Sequence, residues 1–464
     1  MEYENLKNEL LSAIDSGLKY ARTIDQKAEF ELYLFYEHRT RVNITQGVVD
    51  ATDGIVEGNA VRVAKENCIS FASSSGISPE RIRRSINEAA ASLKSVSIKD
   101  NRFKGFCYPK KPGNEGTHAK EVLDLSEESM IKMARNMVKE AQEYDKRIHM
   151  AESECSAEWG GFAVGNTNDL QQASRSAING CEVSCIAVKG EERRTSYVFD
   201  ITREHLIKTI NLGTKAAQKA IELLEAKKLN KTTNLPTIWT PVPAASYIAA
   251  SIGQSASGGH VVEGRSPLGN KVGEEIADSA LTIADNGQNP KGIHTEAIDA
   301  EGYPQQKTTI IDNGKLEQFL FDTYYAQIHG KKSTGNCTRH NRVFGSTLPY
   351  ETSPSILPKN LEVKPGKKDL NTLISSIDDK AIMIVDMPIG ILHSDVSTGE
   401  FSAVAHSVFL VEDGEKKWPL QPVSVSGNFY NGFKKLRDIG SDLEKTFFTV
   451  ETPTLVFDGF SIVG

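Results

Sequence analysis

An α+β fold in two halves of different character is the architecture this sequence predicts, and three observations predict it. A helix–strands–helix plan occurs twice within the first 230 residues. The polar stretch KKLNKTTNLPT (Lys227–Thr237) then breaks both the helical and the strand periodicity. Beyond it the chain turns to one small-residue helix followed by many short β-like runs. The expected organisation is an N-terminal α+β domain, residues 1–230, built from a repeated helix/antiparallel-sheet unit (1–120 and 121–230). A mainly β domain of barrel or sandwich type, residues 235–464, is expected to come after it.

The first unit opens with a helix at about Asn5–Ala21, followed by the strand-like FELYLFYEHRTRVNITQGVVDATDG and NAVRVAKENCISFASSSG. The helix SPERIRRSINEAAASLK (Ser78–Lys94) closes it, with Ile82, Ile86, Ala89 and Leu93 on one face. Ser78 suits its N-cap and Pro79 its first helical position, because proline lacks the N–H that would go unsatisfied there. The second unit starts with Ser126–Asp145, whose inward set is Ile131, Met133, Ala134, Met137, Val138 and Ala141. Two further strand-like segments follow, RIHMAESECSAEWGGFAVGNTNDLQQASRSA and CEVSCIAVKGEERRTSYVFD, and the turn GNTND (Gly165–Asp169) within the first suits a hairpin tip because its residues tolerate left-handed backbone. A helix from Thr202 to about Ala226 ends the unit, with Leu206, Ile210, Ala217, Ile221 and Leu224 buried. The plan reads as helix, four strands, helix, twice over. In the second half the runs TEAIDAEG, QQKTTIIDNGKLEQFLFD, AIMIVDMPIG, AVAHSVFLVEDGEKKWPLQPVSVSG and PTLVFDGFSIVG read as strands, with DNG and EDG as hairpin turns.

The chain of 464 residues has a net charge of −7 with scattered basic residues, which disfavours direct nucleic-acid binding. The basic stretches HGKKS (His329–Ser333) and KPGKKD (Lys364–Asp369) read as solvated loops. The acidic, amphipathic start MEYENLKNELL lacks a secretory pattern, and no apolar run approaches the roughly 18 residues of a membrane span. Six widely spaced cysteines, of which only Cys181 and Cys185 are close, fit reduced thiols in a cytoplasmic protein.

Chemistry-bearing motifs are sparse. In the stretch Ala244–Gly264 a small-residue helix stops at two glycines and His260-Val-Val-Glu263 follows, but Gly264 stands where an inverted zinc motif would place a second histidine. The pair reads as a polar loop after a helix. Gly-x-Ser-x-Gly is absent, and YAQIHGKKST lacks the first glycine and the Ser/Thr of a phosphate loop. STGN (Ser333–Asn336) can cradle an anion but reads more simply as a turn. In PIGILHSDVSTGEFS, His393 and Asp395 would share one side of an extended segment; a hydrogen-bonded structural role suits them better than acid–base work. TRHNRV offers Arg339, His340 and Arg342, which can grip a carboxylate.

The chain as a whole resembles the TldD/PmbA family, also called modulators of DNA gyrase. The stretches that carry the likeness are STGNCTRHNRV, DNGKLEQFLFDTYYAQIHGKKSTG, GILHSDVSTGEFSAVAHSVFLVEDGE, WPLQPVSVSGN and, near the start, ITQGVVDATDGIVEGNAVRVAKENCISFASSS. Their order and spacing make the match. The resemblance implies a two-domain fold and a part in proteolysis of small or unfolded peptides. Its metal-bearing members carry His-Glu-x-x-x-His on a helix and a cysteine nearer the C-terminus. Here Ala249, Ala250 and Gln254 fall at those positions, and the tail from Leu443 holds no cysteine. The chain therefore resembles the metal-free PmbA (TldE) branch.

That likeness implies a metal-free subunit that needs no cofactor and has no catalytic or metal-ligating residue of its own. Such a subunit is expected to join a TldD-like metallopeptidase subunit in the cytoplasm, as a former of homo- or heterodimers. Candidate contacts to peptide or partner are His260, Glu263, Arg339, His340, His393 and Asp395. Two other readings stay open: a stand-alone hydrolase built from His260, Glu263, His393 and Asp395, and a peptide-binding regulatory protein.

Overall fold

The computed structural model describes residues 3–96, 98–229, 232–339, 348–446 and 448–464. Helix α1 (Tyr3–Ile24) leads into strands β1 (Glu29–Thr45), β2 (Val48–Lys65) and β3 (Cys68–Ser75), and α2 (Pro79–Leu93) closes the first unit. The second unit repeats the plan with α3 (Glu127–Tyr144), β4 (Ile148–Asn166), β5 (Gln171–Lys189), β6 (Glu192–Thr202) and α4 (Leu212–Glu222). Each unit has three strands rather than the expected four. The reason is length: β1, β2, β4 and β5 run 17 to 19 residues and take up stretches that read as separate strands.

The Ser78 cap is where the sequence puts it, and Ser126 caps α3 in the same way. Ser78 accepts from the Arg81 N–H at 3.4 Å, with Pro79 next, and Ser126 accepts from the Ser129 N–H at 3.2 Å. On α3 the buried stripe is Met130, Ala134, Met137 and Ala141, while Ile131, Met133 and Val138 pack only at its edge. Helix α4 starts at Leu212 instead of Thr202. The Asn179 side chain donates to the Thr202 and His205 carbonyls and accepts from the Ile207 N–H, which holds that segment out of a helix.

All six strands form one antiparallel sheet in the order β3-β2-β1-β4-β5-β6, so the two units join through β1 and β4 at its centre. Alternation along β1 divides its side chains between two cores. Leu32 and Leu34 pack under the four helices. Tyr33 and Phe35 face the other way, against Ile298, Ala300, Cys337 and Tyr350 of the C-terminal half. Both faces of the sheet are therefore covered.

The C-terminal half is β-rich. One six-stranded sheet is built around β7 (Thr237–Trp239), Lys380–Ile384 and Leu455–Phe457, and a second around Ile283–Asn286 and Leu361–Val363. A three-stranded and a two-stranded sheet complete the set, and no sheet among the described residues closes into a barrel. Turns agree with the sequence: Asn313 and Gly314, like Asp413 and Gly414, have positive φ at hairpin tips. TEAIDAEG is not a strand; it is a loop whose Asp299 and Glu301 turn inward. No helix among the described residues is long and apolar enough to cross a membrane.

Candidate functional site

The helix that opens the C-terminal half is α5 (Pro241–Ala250). It does not run on to the glycines. Its backbone breaks at Ser251 (φ −98°, ψ −88°), whose hydroxyl folds back onto the Tyr247 carbonyl at 2.6 Å. A short turn, Ile252–Ser255, comes next, and Gly258 begins another, Gly258–Val262, instead of ending a helix. Gly258 is needed there because a Cβ would lie 2.2 Å from the Phe321 ring, while its N–H donates to the Leu320 carbonyl at 2.7 Å.

Nearly every side chain of α5 is buried. Tyr247 is fully enclosed, with Trp239, Phe401, Phe429, Phe433, Phe457 and Phe460 around its ring, and its hydroxyl donates to the Phe429 carbonyl at 2.6 Å. Small residues on the helix let these rings close in.

The candidate side chains are spread over three places. His260 shares an Nδ1 contact of 3.1 Å with the Gln254 carbonyl, and burial holds its pKa below the ordinary histidine value. Glu263 accepts from the Tyr325 hydroxyl and pairs with Arg265, and the Tyr325 bond in particular depresses its pKa. His393 ends the 3-10 turn Ile391–His393, whereas Asp395 opens the next turn, accepting from Ser397 N–H at 2.9 Å and Ser397 Oγ at 2.6 Å. They are not same-side neighbours on an extended strand, and both are exposed. STGN (Ser333–Asn336) is a bend tied to the rest of the fold: Asn336 donates to buried Asp285 at 2.5 Å, Ser333 donates to the Phe321 carbonyl, and the Gly335 N–H donates to the Ser333 hydroxyl at 3.1 Å. His340 and Arg342 lie outside the described residues.

Arg339 is not a surface grip. It is 1% exposed and belongs to a buried charge network between the two halves. Glu31 of β1 stands opposite Arg62 of β2 in register, and Arg62 grips it through Nε and Nη2 at 2.8 Å each. Arg62 also donates to Glu301 at 2.9 Å, and Glu301 accepts from the Thr323 N–H at 2.8 Å. Arg339 reaches Glu31 at 3.4 Å, donates to the Thr352 carbonyl at 3.0 Å and lies 4.8 Å from the Tyr33 ring centre. Beside this row, Asp299 accepts from Glu301, Tyr303 and Cys337 N–H groups, and Asp322 caps Tyr325 at 2.7 Å. Burial, and then the Glu301 charge, push Asp299 up to about 7 and Asp322 up to about 8. A second tie is Arg203, which donates to the carbonyls of Thr117, Glu115, Gly292 and Thr295. With its charged members buried or nearly so, this network clamps the seam. The clue in the sequence was a lone acid in FELYLFY and a lone base in NAVRVA, opposite charges on otherwise apolar strands.

A scan of protein families places residues 232–464 in the PmbA/TldA metallopeptidase C-terminal domain and residues 120–224 in the corresponding central domain. The chain belongs to the PmbA/TldD metallopeptidase family. It is 25% identical over 440 residues to an uncharacterized protein of Methanocaldococcus jannaschii, covering 94% of this chain and 97% of that one. To metalloprotease PmbA of Escherichia coli O157:H7 it is 24% identical over 416 residues, covering 87% and 85%. The crystal structure of TldE from Thermococcus kodakarensis shares the fold, with a TM-score of 0.88 at 23% identity and 97% of this chain and 100% of that one covered.

The family name implies a metal, and the residues here do not fit one. A catalytic zinc takes three nitrogen, sulfur or carboxylate ligands. Ala249 and Ala250 offer methyl groups and Gln254 a neutral amide. The histidine and glutamate that follow in the chain, His260 and Glu263, are held by local bonds. Among the described residues, no group of three or more His, Cys, Asp or Glu is arranged to hold a metal ion.

Proposed function

We propose that this chain is the metal-free subunit of a cytoplasmic two-chain peptidase of the TldD/PmbA type, which degrades or processes small unfolded peptides. The metal and the proton-accepting carboxylate come from a TldD-like partner; this chain supplies shape. The observation that carries the reading is α5, an enclosed apolar helix where a metal-bearing relative needs imidazoles and a carboxylate. Support also comes from the family membership and from relatives that bear the name metalloprotease. The peptide and partner contacts proposed from the sequence reduce to the exposed ones of the described set, Glu263, His393 and Asp395.

The test measures bound zinc and peptide cleavage for this chain alone, for a TldD-type partner alone, and for the mixture. The expected result is no stoichiometric zinc and no cleavage from this chain alone, with cleavage by the mixture well above that of the partner. Stoichiometric zinc in the isolated chain, or a rate unchanged by adding it to the partner, would sink the proposal.

A further inference from the structure

Cys155 and Cys181 stand directly opposite each other on β4 and β5, and their Sγ atoms lie 3.1 Å apart. The hairpin is closed by a bond from the Asn166 N–H to the Leu170 carbonyl. Counted in steps of two from that bonded pair along an unbroken register, Cys155 and Cys181 occupy a non-hydrogen-bonded site, where opposing Cα atoms come closest, roughly 4.5 Å. Disulfides span Cα separations of roughly 4.4–6.8 Å. The backbone thus already meets the requirement for a bridge. All six cysteines are free, and these two are 1% and 6% exposed. Cys185, the close neighbour in sequence, faces Ala151 instead. Four residues along a strand put it about 13 Å from Cys181, beyond bridging distance.

We propose that Cys155 and Cys181 form a site of oxidative modification, a latent cross-strand disulfide that a peroxide closes. One sulfur attacks a peroxide oxygen, the O–O bond breaks, and a sulfenic acid and one water result. The second sulfur attacks the sulfenic sulfur, the S–S bond forms, and a second water leaves with the remaining thiol proton. Two thiols and one hydrogen peroxide give one disulfide and two waters. Contact with Cys155 and burial raise the Cys181 thiol well above its ordinary value, so closure is slow at neutral pH and quickens as pH rises. The bridge closes a loop in the unfolded chain and so raises the unfolding temperature.

The test treats the full chain with hydrogen peroxide, alkylates it after denaturation and maps its peptides by mass. The expected product joins the Cys155 peptide to the Cys181 peptide, with a mass lower by two hydrogen atoms and two fewer alkylated thiols. Dithiothreitol reverses it, and the oxidised chain unfolds several degrees higher. Cys185→Ser keeps the link and Cys181→Ser loses it. The map of the unmutated chain decides the matter even where a variant folds poorly. A bridge between any other pair, sulfinic or sulfonic acid at Cys155 or Cys181 without a bridge, or unmodified thiols at both while half-exposed Cys68 oxidises, would overturn the proposal.

Discussion

Two interiors of this molecule can be set side by side. Around Tyr247 in the C-terminal half, six aromatic rings enclose a helix with no charged side chain. At the seam between the halves, Arg339, Glu31, Arg62 and Glu301 alternate in sign, all buried or nearly so. The first, where the sequence resemblance would put metal ligands, is apolar packing. The second is as charged as an active site, and it is a fastener. Density of titratable groups therefore does not by itself locate function; access does.

The sharpest way to break the contrast is Arg62→Ala. It leaves Glu31 and Glu301 buried without their main cation, and breaking such a pair costs roughly 3–5 kcal/mol. Chemical unfolding should show that loss, and limited proteolysis should cut between the halves sooner. A double variant, Glu31→Leu with Arg62→Met, should recover only part of it, because Glu301 and Arg339 then stay buried without those partners.

Next in size is a pH effect. Asp299 and Asp322 hold their protons in the folded chain up to about 7 and about 8, whereas free aspartate loses its proton near pH 3.9. The folded state thus binds more protons in that window. Their contribution to stability is complete below about pH 4 and drains away as pH rises, by up to about 1.4 kcal/mol per unit for each group. Asp322→Asn, which preserves the helix cap, should flatten the fall between pH 7 and 8 in a series of unfolding curves.

Smaller again is Tyr247→Phe. It keeps the ring cage but leaves the Phe429 carbonyl without its donor, at a cost of about 1–2 kcal/mol in thermal unfolding. Least of all is Asp395→Ala, on an exposed turn, with an expected change within about 0.5 kcal/mol. If Asp395 touches peptide or partner, the same variant should weaken cleavage by the two-chain mixture without moving stability.

These two interiors also mark what sequence reasoning reaches. Local physics was legible: the cap at Ser78, the hairpin glycines at 314 and 414, and the small-residue character of α5. The start of α4 was not, because the bonds that hold residues 202–207 out of the helix come from Asn179 on a neighbouring strand. Nor was the break at Ser251, where a hydroxyl bonds back within one turn. The seam was hidden by distance along the chain. Arg339 attracted notice as a surface grip only because its true partner, Glu31, sits 308 residues away.

That separation has a consequence for how the molecule is made. Arg62 and Glu31 meet within one hairpin, and they can find each other as soon as β2 leaves the ribosome. Glu301 is 239 residues beyond Arg62, and until it emerges the apolar far side of the sheet, with its acid–base pair, stands open to water and to other chains. Synthesis that pauses after the first half would leave this surface uncovered longest.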